Sequence, residues 1–340
     1  MMSDDRRRTQ GHAPDMNELH ADVTGLDRIT DQQAAAFRAN GLLILRGLIA
    51  PDELAALQAE TGILVDRAAA RDTDGLHDDS AADFAYRKHP VTGLDTPFRI
   101  EYILEKSAAA RALLGHPFIL RTIERLQGPN LIPTWDSMVF KMEGGGAEIT
   151  WHRDGGLAPG YAADGSHSVN VDVYLDGSDL TNCLWGFPGS NHWSDATSTA
   201  VARELNDRRA DEPFKTVADG REATPLPVQP GDVMLHSTLA MHGSPAARSA
   251  LRRVVYLEFR PADVEAAWGP HTLDYIPAKQ AVLLSALDQR RRAAYASGEA
   301  AYTYRPEERF AAPPARAELD TYRILHGRYW RGTVTEGALP

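Results

Sequence analysis

Between Ser168 and Leu175 the chain alternates without a break: Val169, Val171, Val173 and Leu175 are apolar, while Ser168, Asn170, Asp172 and Tyr174 are polar. Successive side chains of a strand point to opposite faces, so this segment belongs to a sheet with one apolar and one polar side. It fits a barrel whose polar face points inward beneath covering helices, and equally a half-exposed sheet with its polar face in water. From Ile132 onward the same style continues, as short strands punctuated by Gly, Pro, Asn and Asp. The pattern predicts strands over 138–142, 148–154, 168–175, 233–242 and 252–259, with Gly144-Gly145-Gly146 as a turn. An all-β barrel or sandwich with core strands over about 132–262 follows. In the last strand Arg252, Val254, Tyr256 and Glu258 alternate with Arg253, Val255, Leu257 and Phe259. The second set is apolar after its first member, which puts Arg252 on the polar face.

Helices are expected on either side of this β region. Residues 1–23 are polar and carry Arg6-Arg7-Arg8 with no apolar stretch after it, so they read as a disordered tail and not as a signal peptide. Order is expected from residue 24, in a single domain to 340. Thr30-Asp31 opens a helix that Gly41 ends, 42–48 is a short strand, and Pro51-Asp52-Glu53 opens a helix towards Ala70. Residues 71–83 form a charged loop. Helix returns over 108–126, broken at Gly115 and Pro117, and again after Pro261 as a helical extension over 263–340.

Composition sets the class of partner. The chain has 340 residues, 43% hydrophobic and 24% charged, with a formal net charge of -11, the make-up of an ordinary globular protein with a substantial core. An acidic total argues against a nucleic-acid partner, which calls for a basic patch. No apolar run approaches the ~20 residues of a membrane helix, so no membrane partner is expected. Cys183 is the only cysteine, which excludes an intrachain disulfide and a thiolate zinc cluster and fits a reducing cytoplasm. The sequence sets no oligomeric state.

The residues that carry chemistry are His152-Arg153-Asp154 and, far downstream, His242-Gly243-Ser244. Residues two apart on a strand share a face, so His152 and Asp154 can reach one metal together. Two imidazoles and one carboxylate bind three adjacent corners of an octahedral ferrous ion and leave three corners for a co-substrate and dioxygen. Taken alone, a His-x-Asp triplet is also what a surface pair at a strand end would give.

In order and spacing, several pieces over about 27–263 resemble the phytanoyl-CoA dioxygenase family of Fe(II)/2-oxoglutarate-dependent oxygenases. Asn40-Gly41-Leu42-Leu43-Ile44-Leu45-Arg46-Gly47 with Pro51-Asp52-Glu53 is similar to the family's opening segment, and Trp151-His152-Arg153-Asp154 to its metal strand. Asn182-Cys183-Leu184 with Pro188-Gly189-Ser190 resembles the stretch that follows, and Gly231-Asp232 with His242-Gly243-Ser244 its distal ligand strand. The resemblance implies a mainly β fold with flanking helices, a double-stranded β-helix of jelly-roll or cupin type. It implies Fe(II) on His152, Asp154 and His242, with 2-oxoglutarate as co-substrate, O2 as oxidant and a small-molecule substrate. Two departures stand out. Asn191 occupies the place of a histidine after Pro-Gly-Ser, and the loop after His242 is one residue shorter than in relatives.

That shorter loop decides between two arginines. The family's count from the distal histidine nominates Arg253, but removing one loop residue moves the equivalent place to Arg252, which the strand parity also favours. Arg252 is therefore expected to bind the distant carboxylate of 2-oxoglutarate through its planar fork, with Arg253 as rival. Ser244 would add a hydroxyl, and Lys141, Asn170 and Asp172 are weaker candidates for lining the pocket. Asn170 and Asp172 fit equally well as satisfied interior polar groups. His236 reads as a pocket or core histidine, His167 and His192 as solvated loop residues, and Trp151, Trp185 and Trp193 as packing. Residues 70–99, 156–167 and 194–222 are expected to form the pocket rim.

Related halogenases lack the carboxylate ligand, so Asp154 favours hydroxylation of a small polar metabolite with release of succinate and carbon dioxide. Two other readings stay open: a cupin-like metal-binding isomerase and a non-catalytic binding protein on the same barrel. Neither requires an arginine facing the metal.

Overall fold

The structure is a computed structural model. It describes residues 16–74, 76, 80–89, 92–155, 168–209, 212–247, 249–306, 309–310 and 322–331. The first fifteen residues of the expected tail, and the rim segment 156–167 with His167, lie outside the described residues. The chain begins with β1 (His20–Asp22), α1 (Asp31–Asn40), β2 (Leu42–Arg46) and α2 (Pro51–Ala70). A hairpin of β3 (Phe84–Lys88) and β4 (Asp95–Glu101) leads into α3 (Ile103–Lys106), α4 (Ala108–Leu114) and α5 (Pro117–Gln127). Next come β5 (Leu131–Lys141), β6 (Ile149–His152), β7 (Val169–Tyr174), β8 (Leu184–Gly186) and α6 (Asp195–Asn206). The strands β9 (Val217–Ala218), β10 (Arg221–Glu222), β11 (Thr224–Leu226), β12 (Val233–Ser237), β13 (His242–Ser244) and β14 (Arg252–Pro261) precede α7 (Ala262–Trp268) and α8 (Tyr275–Arg292).

Local chemistry accounts for the helix ends. Thr30 caps α1 in a reciprocal capping box with Gln33, and Gly41 ends it in the left-handed region at φ 71°. Pro51 opens α2 and Pro117 opens α5, where a missing N–H costs nothing. The expected break at Gly115 and Pro117 separates α4 from α5.

Two sheets face each other. The larger has eight strands in the order β1-β2-β12-β7-β14-β5-β4-β3, and the smaller four in the order β11-β8-β13-β6. From β5 to β8, and again from β11 to β14, the chain crosses between the sheets at each step, which is the alternation of a double-stranded β-helix. Val169, Val171, Val173, Val255, Leu257 and Phe259 point outward into the main core beneath α2, α4, α5 and α8. The opposite face looks inward. Leu42, Ile44, Tyr174, Met234 and Val254 of the large sheet pack there against Leu184 and Leu226 of the small one. Among the described residues no helix is long and apolar enough to cross a membrane.

Several expectations need correction. The tail does not extend to residue 23: Met16–Leu19 is a 3-10 turn and β1 pairs parallel with β2, anchored by buried Leu19, Ala21 and Val23. Three residues are too few for an alternation to register. The segment expected as one strand over 233–242 is two, because Ala240 N–H bonds to Ser237 O in a turn that carries the chain from the large to the small sheet. The strands β3 and β4 had no expectation, since charged residues occupy their inward positions. Among the described residues of the C-terminal extension, α-helix ends at Arg292 and is followed by the short 3-10 turns Ala294–Ala296 and His326–Arg328.

Gly41 joins α1 to this frame. Its carbonyl accepts from Ser237 N–H, and a Cβ there would lie 2.7 Å from the Asn191 side chain. Gly41→Ala combines that clash with a left-handed backbone, so it should lower stability by about 1–2 kcal/mol. Denaturant unfolding checks this, and an unchanged midpoint would contradict it.

Candidate metal centre and its anion pocket

The antiparallel pairing of β13 with β6 sets His242 directly opposite His152. Their rings lie 4.3 Å apart between centroids. Asp154 follows two residues after His152, just past the end of β6 and not within it as expected, but still turned to the same side. Its Oδ1 is 3.4 Å from His152 Nε2 and 3.8 Å from His242 Nε2. One donor atom from each residue lies within 4.8 Å of the others. His152 Nδ1 donates to Thr150 O at 2.7 Å and His242 Nδ1 to Ala240 O at 3.0 Å. With the proton on Nδ1, each Nε2 presents a lone pair to the shared point. Burial and the neighbouring His152 push the pKa of His242 down to about 3, so it is neutral at neutral pH. The site is open on one side: His152 and Asp154 keep 28% and 27% of their side-chain surface.

The second carboxylate oxygen of Asp154 is held from behind. Asn170 Nδ2 and His236 Nε2 both approach Asp154 Oδ2 at 2.8 Å, and His236 Nδ1 meets Asp172 Oδ2 at 2.7 Å. Burial opposes a charge on His236, but carboxylates on both its nitrogens outweigh burial and push its pKa up to about 10. Burial likewise raises the carboxyl of Asp154, yet the hydrogen bond and positive charge of His236 hold it well below the usual range. His236 is thus a cationic clamp between two carboxylates. The sequence reading had it only as a pocket or core histidine. The usable signal was the polar row of β7, because Asn170 and Asp172 pair in register with His236 and Met234 of β12.

A second polar group lies deeper inside. Arg252 pairs in register with Lys141, placing two buried cations side by side. Arg252 Nη1 donates to Asn182 O at 2.5 Å, and its Nε has no partner among the described residues. Lys141 Nζ donates to Ala147 O at 2.6 Å and Pro245 O at 2.7 Å, which uses two of its three protons. Burial, followed by the charge of Arg252, drives the Lys141 pKa well down. The Ser244 hydroxyl, next to Pro245, is fully buried and also unpartnered. Buried polar groups are nearly always bonded, so an orphaned guanidinium nitrogen and hydroxyl near two buried basic side chains mark a place for an anion. Arg253 lies on the opposite face, bonded to both oxygens of Asp176 and to Gln58 O and Thr61 Oγ1.

The other aromatic and imidazole groups take structural places. Trp151 packs with Phe187 and Phe214 on the outer side of the small sheet, with Trp185 and Trp193 against that cluster. His192 is exposed and bonds to Arg38 O.

A family model described as Phytanoyl-CoA dioxygenase (PhyH) matches residues 37–255. The phytanoyl-CoA dioxygenase domain-containing protein 1 of Danio rerio is 23% identical over 283 residues, covering 72% of this chain and 94% of that protein. Among solved structures, AviO1 from Streptomyces viridochromogenes Tue57 is 27% identical with a TM-score of 0.50, covering 67% of this chain and 92% of that one. EctD from S. alaskensis, solved with 2-oxoglutarate and 5-hydroxyectoine, is 21% identical with a TM-score of 0.53 over 69% of this chain and 77% of that one, a likeness of fold.

Removal of the clamp tests this centre. Asp154→Ala should abolish stoichiometric binding of a divalent metal. His236→Leu, which frees Asp154 to turn and leaves two carboxylates facing each other, should weaken binding about 10–100-fold. Metal titration of the apo protein measures both, and unaltered affinity in His236→Leu would reduce His236 to a packing residue.

Proposed function

This chain belongs to the phytanoyl-CoA dioxygenase family, and on that premise we propose that it is an Fe(II)/2-oxoglutarate-dependent dioxygenase that hydroxylates a small polar metabolite with release of succinate and carbon dioxide. The chain acts in this reading as one catalytic domain that includes β1, and the lone buried Cys183 suits a reducing cytoplasm. The observation that carries the reading is the fit between two half-sites: three metal donors around one point, and an arginine and a serine whose buried polar atoms lack partners. An α-keto dicarboxylate completes both.

When bound, Fe(II) and 2-oxoglutarate supply the oxidising chemistry, in which decarboxylation to succinate activates dioxygen for attack on a substrate C–H bond. The chain supplies position and charge. His152 and His242 offer Nε2 and Asp154 offers Oδ1, while Asn170 and His236 occupy Asp154 Oδ2 and so fix which oxygen faces the metal. Arg252 presents a planar fork to the distant carboxylate, Ser244 adds a hydroxyl donor, and Lys141 adds positive charge and a free N–H. Arg253, the rival, spends its donors on Asp176 and the α2 backbone.

An isomerase that works without 2-oxoglutarate, or a binding protein, on the same barrel has no use for an unpartnered arginine on the inner face, which sets the oxygenase reading above both. Asp154 supports hydroxylation over halogenation, since its carboxylate fills the corner that a halide would need.

With ferrous iron, 2-oxoglutarate and its own substrate, the protein should release succinate in step with hydroxylated product and incorporate no chloride. A chlorinated product by mass spectrometry would remove Asp154 from the metal. The adjacent arginines separate by kind of loss. Arg252→Gln should raise the 2-oxoglutarate requirement by more than about tenfold, the usual consequence of losing a buried partner for a carboxylate. Arg253→Gln should leave that requirement alone and instead cost about 3 kcal/mol of stability by stranding Asp176. A 2-oxoglutarate titration beside thermal unfolding distinguishes them, and the opposite ranking would exchange the two roles.

A further inference from the structure

The inner face of the large sheet keeps a patch of solvent exposure across β14, β5 and β4. Along β14 only Tyr256 is not fully buried, and along β5 only Trp135 and Val139. Register continues the patch outward: Tyr256 pairs with Ser137 and Ser137 with Glu101, while Val139 pairs with Arg99. Tyr256 lies 6.1 Å from the His236 ring, so the patch begins beside the metal donors. At its far end the register of β3 against β4 shifts between Ala85 and Tyr86, skipping Phe98. A bulge re-aims side chains beside a site. Here Arg87 stacks over the Phe98 ring at 4.3 Å, and its Nη1 donates to Glu148 O at 3.0 Å, on the segment that enters the His152 strand.

Charge within the patch does not balance. Arg99 pairs with Glu101, which is also held by Trp135 Nε1 at 2.8 Å. The Glu148 carboxylate is taken by Arg208. Arg87 is half-buried and pairs with no carboxylate among the described residues. Arg99 Nε is buried and unpartnered as well. A desolvated guanidinium with only a carbonyl acceptor is poorly compensated, and a planar fork of donors suits an oxyanion.

We propose that Arg87, assisted by Arg99, binds an anionic group of the organic substrate, a carboxylate or a phosphonate, while the substrate body lies along Phe98 and Tyr256 towards the metal. This rests on the oxygenase reading of the metal centre and adds a substrate class to it. Arg252 and Lys141 serve the co-substrate, so Arg87 supplies a second, separate anion site nearer the opening.

The test is binding to the Fe(II)/2-oxoglutarate holoenzyme under exclusion of oxygen, by calorimetric titration. Phenylacetate and phenylphosphonate are the anionic probes, with phenylacetamide as the neutral control of similar shape. At least one anion should bind tenfold or more tightly than the amide, and which one does so identifies the headgroup. R87Q should abolish that preference and R87K should retain part of it. The visible absorption of the iron/2-oxoglutarate complex reports whether each variant still assembles its site. Equal affinity for anions and amide in the unaltered protein, or a preference that survives in R87Q, overturns the proposal. Absence of the iron/2-oxoglutarate absorption in the unaltered protein would instead strike the oxygenase reading, and an Arg87-dependent anion preference can still be read in that case.

Discussion

Two histidines separated by a long stretch of chain meet because β13 runs antiparallel to β6 with His242 across from His152. Everything else at the centre depends on that register. A slip of one residue would send one imidazole to the outer side of the small sheet, where Trp151 and Phe187 pack. The outer cluster therefore acts as a lock on register, since its aromatic residues would have to enter the polar interior for the histidines to leave it.

The interior is arranged by charge as much as by shape. The carboxylates of Asp154 and Asp172 share the cation of His236, and His152, His242 and Asp154 Oδ1 face the remaining space. Arg252 and Lys141 have backbone carbonyls but, among the described residues, no carboxylate within bonding distance. Burying the Arg252 cation without counter-charge is costly in the free protein, and the lowered pKa of Lys141 reflects the same penalty. That cost is offset when an anion enters, so the unpaired interior favours an anionic ligand.

Much of this was legible in the chain before any coordinates. The alternation of Ser168–Leu175 separates the helix-covered face from the polar interior, and the parity of Arg252–Phe259 puts Arg252 inside and Arg253 outside, as the bonds of both residues bear out. Thr30 and Gly41 mark the ends of α1. What was hidden is what depends on register between strands distant in sequence. His236 faces Asp154 only because β12 lies beside β7, and a histidine followed by more apparent strand gives no hint of that neighbour. The hairpin β3–β4 was missed for a different reason. Its inward positions carry Arg87, Arg99 and Glu101, so the hydrophobic signature that identifies other strands is absent where the chain lines a polar cavity.

The loop between His242 and β14 shows what the fold conserves. Counting residues from the distal histidine would choose Arg253, yet Arg253 is committed to Asp176 and to the end of an α2 contact that holds helix to sheet. Arg252 pairs with Lys141 across the strands, and that pairing keeps a guanidinium pointed at the interior whatever the loop length. Loop length can drift because strand register is fixed elsewhere, by the outward row Val255, Leu257 and Phe259 sealed in the main core. Which arginine faces the interior is thus decided by the apolar residues on the far side of the same strand, and a change in that row would turn a different arginine inward without touching it.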